Sequence, residues 1–105
     1  MNLDTLAEEL GLDSDEFFEI AELYVETCAA DFYQLQSAIK AANAELIAGA
    51  AHSIKGASGN LGFVKAYEAA GRIETRARDG SLAGIAQKAD ELKKELDQVK
   101  ILVEK

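Results

Sequence analysis

The sequence predicts an all-α protein, an antiparallel up-and-down four-helix bundle with a short additional helix at its N-terminus. Three observations carry that prediction. Proline is absent from all 105 residues, so no residue forces a break in a helix. Alanine, leucine, glutamate and lysine, all strong helix formers, are abundant. Apolar residues recur at three- and four-residue spacing in four long segments, and the short connections between them imply antiparallel neighbours.

Taken in order, Leu3, Leu6 and Leu10 mark a short first helix that stops at Gly11, a left-handed C-terminal cap. It is too short to stand alone and is expected to lid one end of the bundle. Leu12 leads into Asp13-Ser14-Asp15-Glu16, which supplies a side-chain cap and an acidic first turn. The second helix runs to about Ala42 on the stripe Phe17, Ile20, Ala21, Tyr24, Cys28, Phe32, Leu35, Ala38 and Ile39. Cys28 lies within it and reads as a small buried hydrophobe rather than a reactive thiol. Asp31 reads as a partly exposed polar position.

Asn43, with Glu45 behind it, opens the third helix, which ends near Leu61-Gly62. Its inward stripe is Ile47, Ala50, Ala51, Ile54, Ala57, Ser58 and Leu61. The fourth helix, about Val64 to Arg78, carries the stripe Phe63, Tyr67, Ala70, Ile73 and Ala77. Glu74 falls in the middle of that stripe, where an ionised carboxylate needs a partner. Asp79-Gly80-Ser81 is expected to stop this helix and cap the fifth, whose seam is Ile85, Ala89, Leu92, Leu96, Val99 and Val103. No linker, repeat or low-complexity tract divides the chain, so residues 1–105 read as one domain.

Composition removes several function classes. A formal charge of −8 disfavours nucleic acid, which needs a basic footprint, and an anionic membrane surface. A single cysteine allows no intramolecular disulfide and no cysteine cluster for a metal. No apolar run approaches the roughly 20 residues of a membrane span, and no signal pattern opens the chain. A cytoplasmic location is the expectation.

The candidate site is Ala51-His52-Ser53-Ile54-Lys55-Gly56-Ala57-Ser58-Gly59-Asn60-Leu61-Gly62. His52 is the only histidine, and it lies nearly opposite the inward stripe of its helix. Its neighbours one turn away are Ala48, Gly49, Lys55 and Gly56, which predicts an imidazole on a bare patch with one cation beside it. Glycine inside an exposed helix costs about 0.5–1 kcal/mol relative to alanine. Gly49, Gly56 and Gly59 together give up roughly 2–3 kcal/mol. Clearance for another molecule is a physical reason to accept that cost. Imidazole is partly neutral at pH 7 and its ring nitrogen can carry a phosphoryl group, while Lys55 could neutralise the added oxygens.

This run resembles the signature of histidine-containing phosphotransfer (HPt) domains of multistep phosphorelays: a histidine, Lys-Gly three and four positions on, then a small residue and Leu-Gly. Phe63, the Ile73-Glu74 pair and the ending Ala77-Arg78-Asp79-Gly80 also look like the family, and the resemblance spans roughly residues 14 to 103. It implies a phosphocarrier that takes a phosphoryl group on His52 from the aspartyl phosphate of a receiver domain and passes it to another receiver aspartate. Lys55 would neutralise the phosphate. The implied partners are response-regulator receiver domains, a hybrid sensor histidine kinase, or both. No cofactor is expected on this chain, and the receiver would supply Mg²⁺. In chemotaxis histidine kinases a glutamate at the offset of Glu74 hydrogen-bonds the histidine and biases its tautomer; pairing of Glu74 with Arg78 is the alternative.

Apolar docking is expected around the histidine, with Leu10, Leu12, Phe18 and Ala48 as candidate contacts or, equally, ordinary core. A monomer is expected. Two other functions compete: the phosphoacceptor domain of a chemotaxis-type kinase, and a non-catalytic helical adaptor. The chain has no Gly-rich nucleotide loop or catalytic lysine pattern with which to phosphorylate itself. One histidine cannot supply the paired Glu-x-x-His motifs of a di-metal bundle, and no acid–base pair for independent turnover stands out.

Overall fold

The computed structural model describes residues 2–104. They form five α-helices and, among the described residues, no strand: α1 (Leu3–Glu9), α2 (Ser14–Lys40), α3 (Ala44–Leu61), α4 (Val64–Arg78) and α5 (Ile85–Val103). Helix starts follow side-chain chemistry. Asn2 caps α1, and Asp13 with Glu16 forms a reciprocal capping box on α2. Asn43 accepts the Leu46 amide to open α3. Gly62 ends α3 at φ +80°, which lets the Phe63 amide reach back to the Ser58 carbonyl at 3.0 Å.

Of the two remaining starts, α4 begins at Val64 as expected and α5 begins later than turn chemistry predicted. Phe63 begins α4 with no side-chain cap; it is instead 1% exposed, its ring 4.8 Å from Tyr24 and 6.1 Å from Phe17, so packing fixes the entry. The fifth helix begins at Ile85 rather than at Ser81. After Gly80 the chain makes a second left-handed residue at Gly84, φ +73°, and Arg76 clasps the intervening loop through the Ala83 carbonyl at 2.9 Å.

The long helices close on one another: α2 packs against α3 and α5, and α4 against the same two, with α1 on α2. Phe17, Leu35, Ile47, Ile54, Phe63, Ile73, Leu92 and Val99 are fully buried at the centre. Cys28 is buried among them, and burial pushes its thiol up to about 11. Tyr24, also raised by burial, shares a 2.7 Å hydrogen bond with Ser58, whose hydroxyl donates to the Ile54 carbonyl.

Three stripe assignments need correction. Ile20 and Tyr67, expected inside, are exposed, and Ile39 is only half-buried. On α3 the buried residues are Ile47, Ala48, Ala51, Ile54 and Ser58, with Ala50, Ala57 and Leu61 only partly covered. At about 100° per residue, that face is turned roughly 50° toward His52. The cause is α4, which packs closely along that side of α3.

Candidate functional site

The rotation of α3 carries His52 from open surface to the seam with α4. Three side-chain pairs define that seam and run in opposite order along the two helices. His52 Nδ1 lies 2.9 Å from Glu74 Oε2. The Lys55 methylenes cross Gly71, where an added Cβ would stand 3.8 Å from Cδ and Cε. Gly59 faces Tyr67, where an added Cβ would stand 3.0 Å from Cδ2. The helices are therefore antiparallel here, with a glycine opposite each of Lys55 and Tyr67.

Glu74 is the hub. Its residue is 7% exposed, yet it meets three groups that can carry positive charge. Oε2 accepts from His52 and from both Nε (2.9 Å) and a terminal nitrogen (2.7 Å) of Arg78. Oε1 faces the Lys55 ammonium at 3.7 Å. Burial pushes the Glu74 carboxyl up, but the Arg78 hydrogen bonds and the adjacent His52 and Arg78 charges prevail, and its pKa lies below the ordinary 4.5. The expected bare patch with one cation is thus a charged cluster. The alternatives for Glu74 were not exclusive, since it holds both His52 and Arg78.

An ionised carboxylate only accepts, so Nδ1 carries the proton and, in the neutral imidazole, the lone pair resides on Nε2. The imidazole is nonetheless open, with 67% of its side-chain surface in solvent. A ring held at one nitrogen and free at the other has the geometry that a nucleophile would need. Among the described residues, no group of three or more His, Cys, Asp or Glu side chains is arranged to hold a metal.

A family model for the Hpt domain matches residues 19–101. The chain belongs to the Hpt domain family. Among solved structures it is similar to histidine-containing phosphotransfer protein B from Pseudomonas aeruginosa PAO1, with a TM-score of 0.85 and 28% identity. That alignment covers 93% of this chain and 85% of the other. Comparison with curated proteins found no match. The Hpt assignment makes this chain a phosphotransfer carrier of phosphorelay signalling, a family that carries phosphoryl groups rather than catalysing turnover.

Within the Hpt framework the three glycines of the motif part company. At Gly49 and Gly56 an added Cβ would meet nothing within 4 Å, so both leave open surface beside the imidazole. Gly59 does not fit the expected clearance, because the space it leaves belongs to the Tyr67 ring. Of the candidate docking residues, Leu10 is exposed, and Leu12 and Phe18 are half-buried. Ala48 is 3% exposed, sealed by the turn of α3 toward α4, and presents no side chain to a partner. Ser53, beside His52, donates to Asp31 at 2.7 Å and ties α3 to α2.

Two residues of the cluster escaped the periodicity reading. Tyr67 and Gly71 share a face with Glu74 and Arg78 at helical spacing, which was legible. What pointed that face at His52 was the register between helices, which no single-helix pattern contains.

Proposed function

We propose that His52 is the phosphoacceptor of this Hpt domain and that it shuttles a phosphoryl group between aspartates of receiver domains. The observation that carries this is the 2.9 Å contact from Nδ1 to a buried carboxylate on a ring that is otherwise open. The Nε2 lone pair attacks the phosphorus of an aspartyl phosphate. The P–O bond between phosphorus and the aspartyl oxygen breaks, and the aspartate leaves as its carboxylate. The new N–P bond makes the ring cationic while Nδ1 keeps its proton. Glu74 stands where that charge develops, as a carboxylate does for any imidazolium it orients.

The added oxygens bring negative charge, which the nearby Lys55 ammonium can meet. Return transfer reverses these steps. We read Gly49 and Gly56 as the clearance that admits a receiver and Leu10, Leu12 and Phe18 as apolar rim contacts. The receiver, alone or within a hybrid sensor kinase, supplies Mg²⁺; this chain acts as a monomeric domain, residues 1–105, in the cytoplasm. Among the described residues, no helix is long and apolar enough to cross a membrane. We further read the four long helices as an antiparallel up-and-down bundle, supported by their closed ring of neighbours and short connections.

The test is incubation with an acetyl-phosphate-loaded receiver and Mg²⁺. Acid-labile, base-stable label is expected on the wild type and absent from His52→Gln. Label that persists in His52→Gln would remove the histidine from the reaction. Label acquired only from a kinase catalytic domain with ATP would favour the chemotaxis-type reading, and intact signalling by His52→Gln the adaptor.

A further inference from the structure

A lysine carries more rotamer freedom than almost any other side chain, so one placed on open helix surface spends little time near any target. Lys55 is not so placed. Its side chain is only 34% exposed, and three contacts confine it. The methylenes lie over Gly71, the ammonium sits 5.4 Å from the centroid of the Tyr67 ring, and Glu74 Oε1 is 3.7 Å away. The last of these is longer than a hydrogen bond, and the other Glu74 oxygen is committed to His52 and Arg78. Glu74 alone therefore does not hold the ammonium.

Tyr67 is unexplained by packing. It is 42% exposed, outside the buried face of α4 formed by Ala66, Ala69, Ala70, Ile73, Glu74 and Ala77. Its ring lies so close on α3 that a Cβ at Gly59 would stand 3.0 Å from Cδ2 and 3.2 Å from Cε2. A side chain there would press the ring away by a few tenths of an ångström.

We propose that Tyr67, seated against Gly59, is a positioning residue that holds the Lys55 ammonium near His52 before a phosphoryl group arrives. The attraction between ammonium and ring face supplies what the long contact to Glu74 does not. The proposal rests on His52 being the phosphoacceptor, since Lys55 is positioned for the charge that step brings.

Two variants separate the ring from the bulk: Tyr67→Phe keeps an aromatic face, and Tyr67→Leu keeps an apolar side chain without one. In proton NMR of the unphosphorylated protein, the Lys55 δ and ε methylenes should be shifted upfield by the ring. The shift should survive in Tyr67→Phe and vanish in Tyr67→Leu. In transfer from a phosphorylated receiver, Tyr67→Leu should load His52 about two- to fivefold more slowly, the range a surface cation–π contact commands, and Tyr67→Phe should restore the rate. In a Lys55→Ala background the Tyr67→Leu loss should disappear. Unshifted wild-type methylenes, undiminished loading by Tyr67→Leu, or an equal loss without Lys55 would each overturn the proposal. Should Tyr67→Leu fold poorly, Gly59→Ala presses on the ring from beneath and should weaken the same methylene shifts; unchanged shifts would refute the seat. A wild type that loads nowhere would instead fail the phosphoacceptor reading, and the methylene shifts still decide the seat.

Discussion

Gly56→Ala sets stability against function at a single methyl group. Gly56 lies inside α3, four residues after His52, and its added Cβ would meet no atom within 4 Å. No clash opposes the helix propensity gained, so the isolated protein should be stabilised by about 0.5–1 kcal/mol. For a domain of this size that corresponds to a rise in Tm of roughly 2–8 °C. The same methyl group projects where a receiver would approach the imidazole, so loading of His52 should slow while the fold improves. Circular dichroism melts and single-turnover transfer from a phosphorylated receiver read the two effects separately. A stabilised variant with wild-type transfer would refute clearance at Gly56. A destabilised one would refute the open surface itself. Gly59→Ala is the control on the same helix: its Cβ meets Tyr67, so its stability gain should be smaller or reversed.

Glu74→Gln removes the anionic acceptor that keeps the proton on Nδ1; ¹⁵N shifts of the imidazole should report a larger Nε2–H population, with slower loading of His52, and an unchanged tautomer ratio would take Glu74 out of the mechanism. Because the folded pKa of Glu74 lies below its ordinary 4.5, its stabilising contribution is present above about pH 4.5 and is lost as pH falls through the lower folded value. The stability gap between wild type and Glu74→Gln, from urea midpoints, should therefore close on acidification; a gap independent of pH would contradict the ion-pair account. Tyr24→Phe deletes the buried hydroxyl that meets Ser58 at 2.7 Å, and should cost about 0.5–1.5 kcal/mol with an unchanged denaturant m-value. Native Cys28, buried with its pKa raised to about 11, should react with a disulfide reagent at about pH 8 only as fast as the protein opens, and rapid labelling would refute its burial.

Helix boundaries were legible wherever one residue decides them. Asn43, Asp13 with Glu16, and Gly62 act through their own side chains or φ angles, and each stands at its expected end. The start of α5 was not, because Ser81 offered a cap while the loop clasped by Arg76 runs on to Gly84. His52 and Lys55 were recognisable by type and spacing, but their surroundings were not. Periodicity aligned α3 on its most apolar side and put His52 opposite the core. The side actually covered is set by α4, whose Gly71 and Tyr67 fit against Lys55 and Gly59.

That register also explains how a carboxylate can interrupt an apolar stripe without unfolding the helix. Glu74 is shielded from water on a seam that supplies His52, Lys55 and Arg78 around it, the last two fixed cations. With a neutral imidazole, the carboxylate is outnumbered by cations two to one. The excess positive charge surrounds the carboxylate that meets His52 Nδ1, before any partner is bound. On the proposed reading, the interaction that lets Glu74 be buried is also the one that would prepare the histidine for an incoming anion. A neutral residue at 74 would relieve the burial cost, but it would leave the imidazole without its orientation.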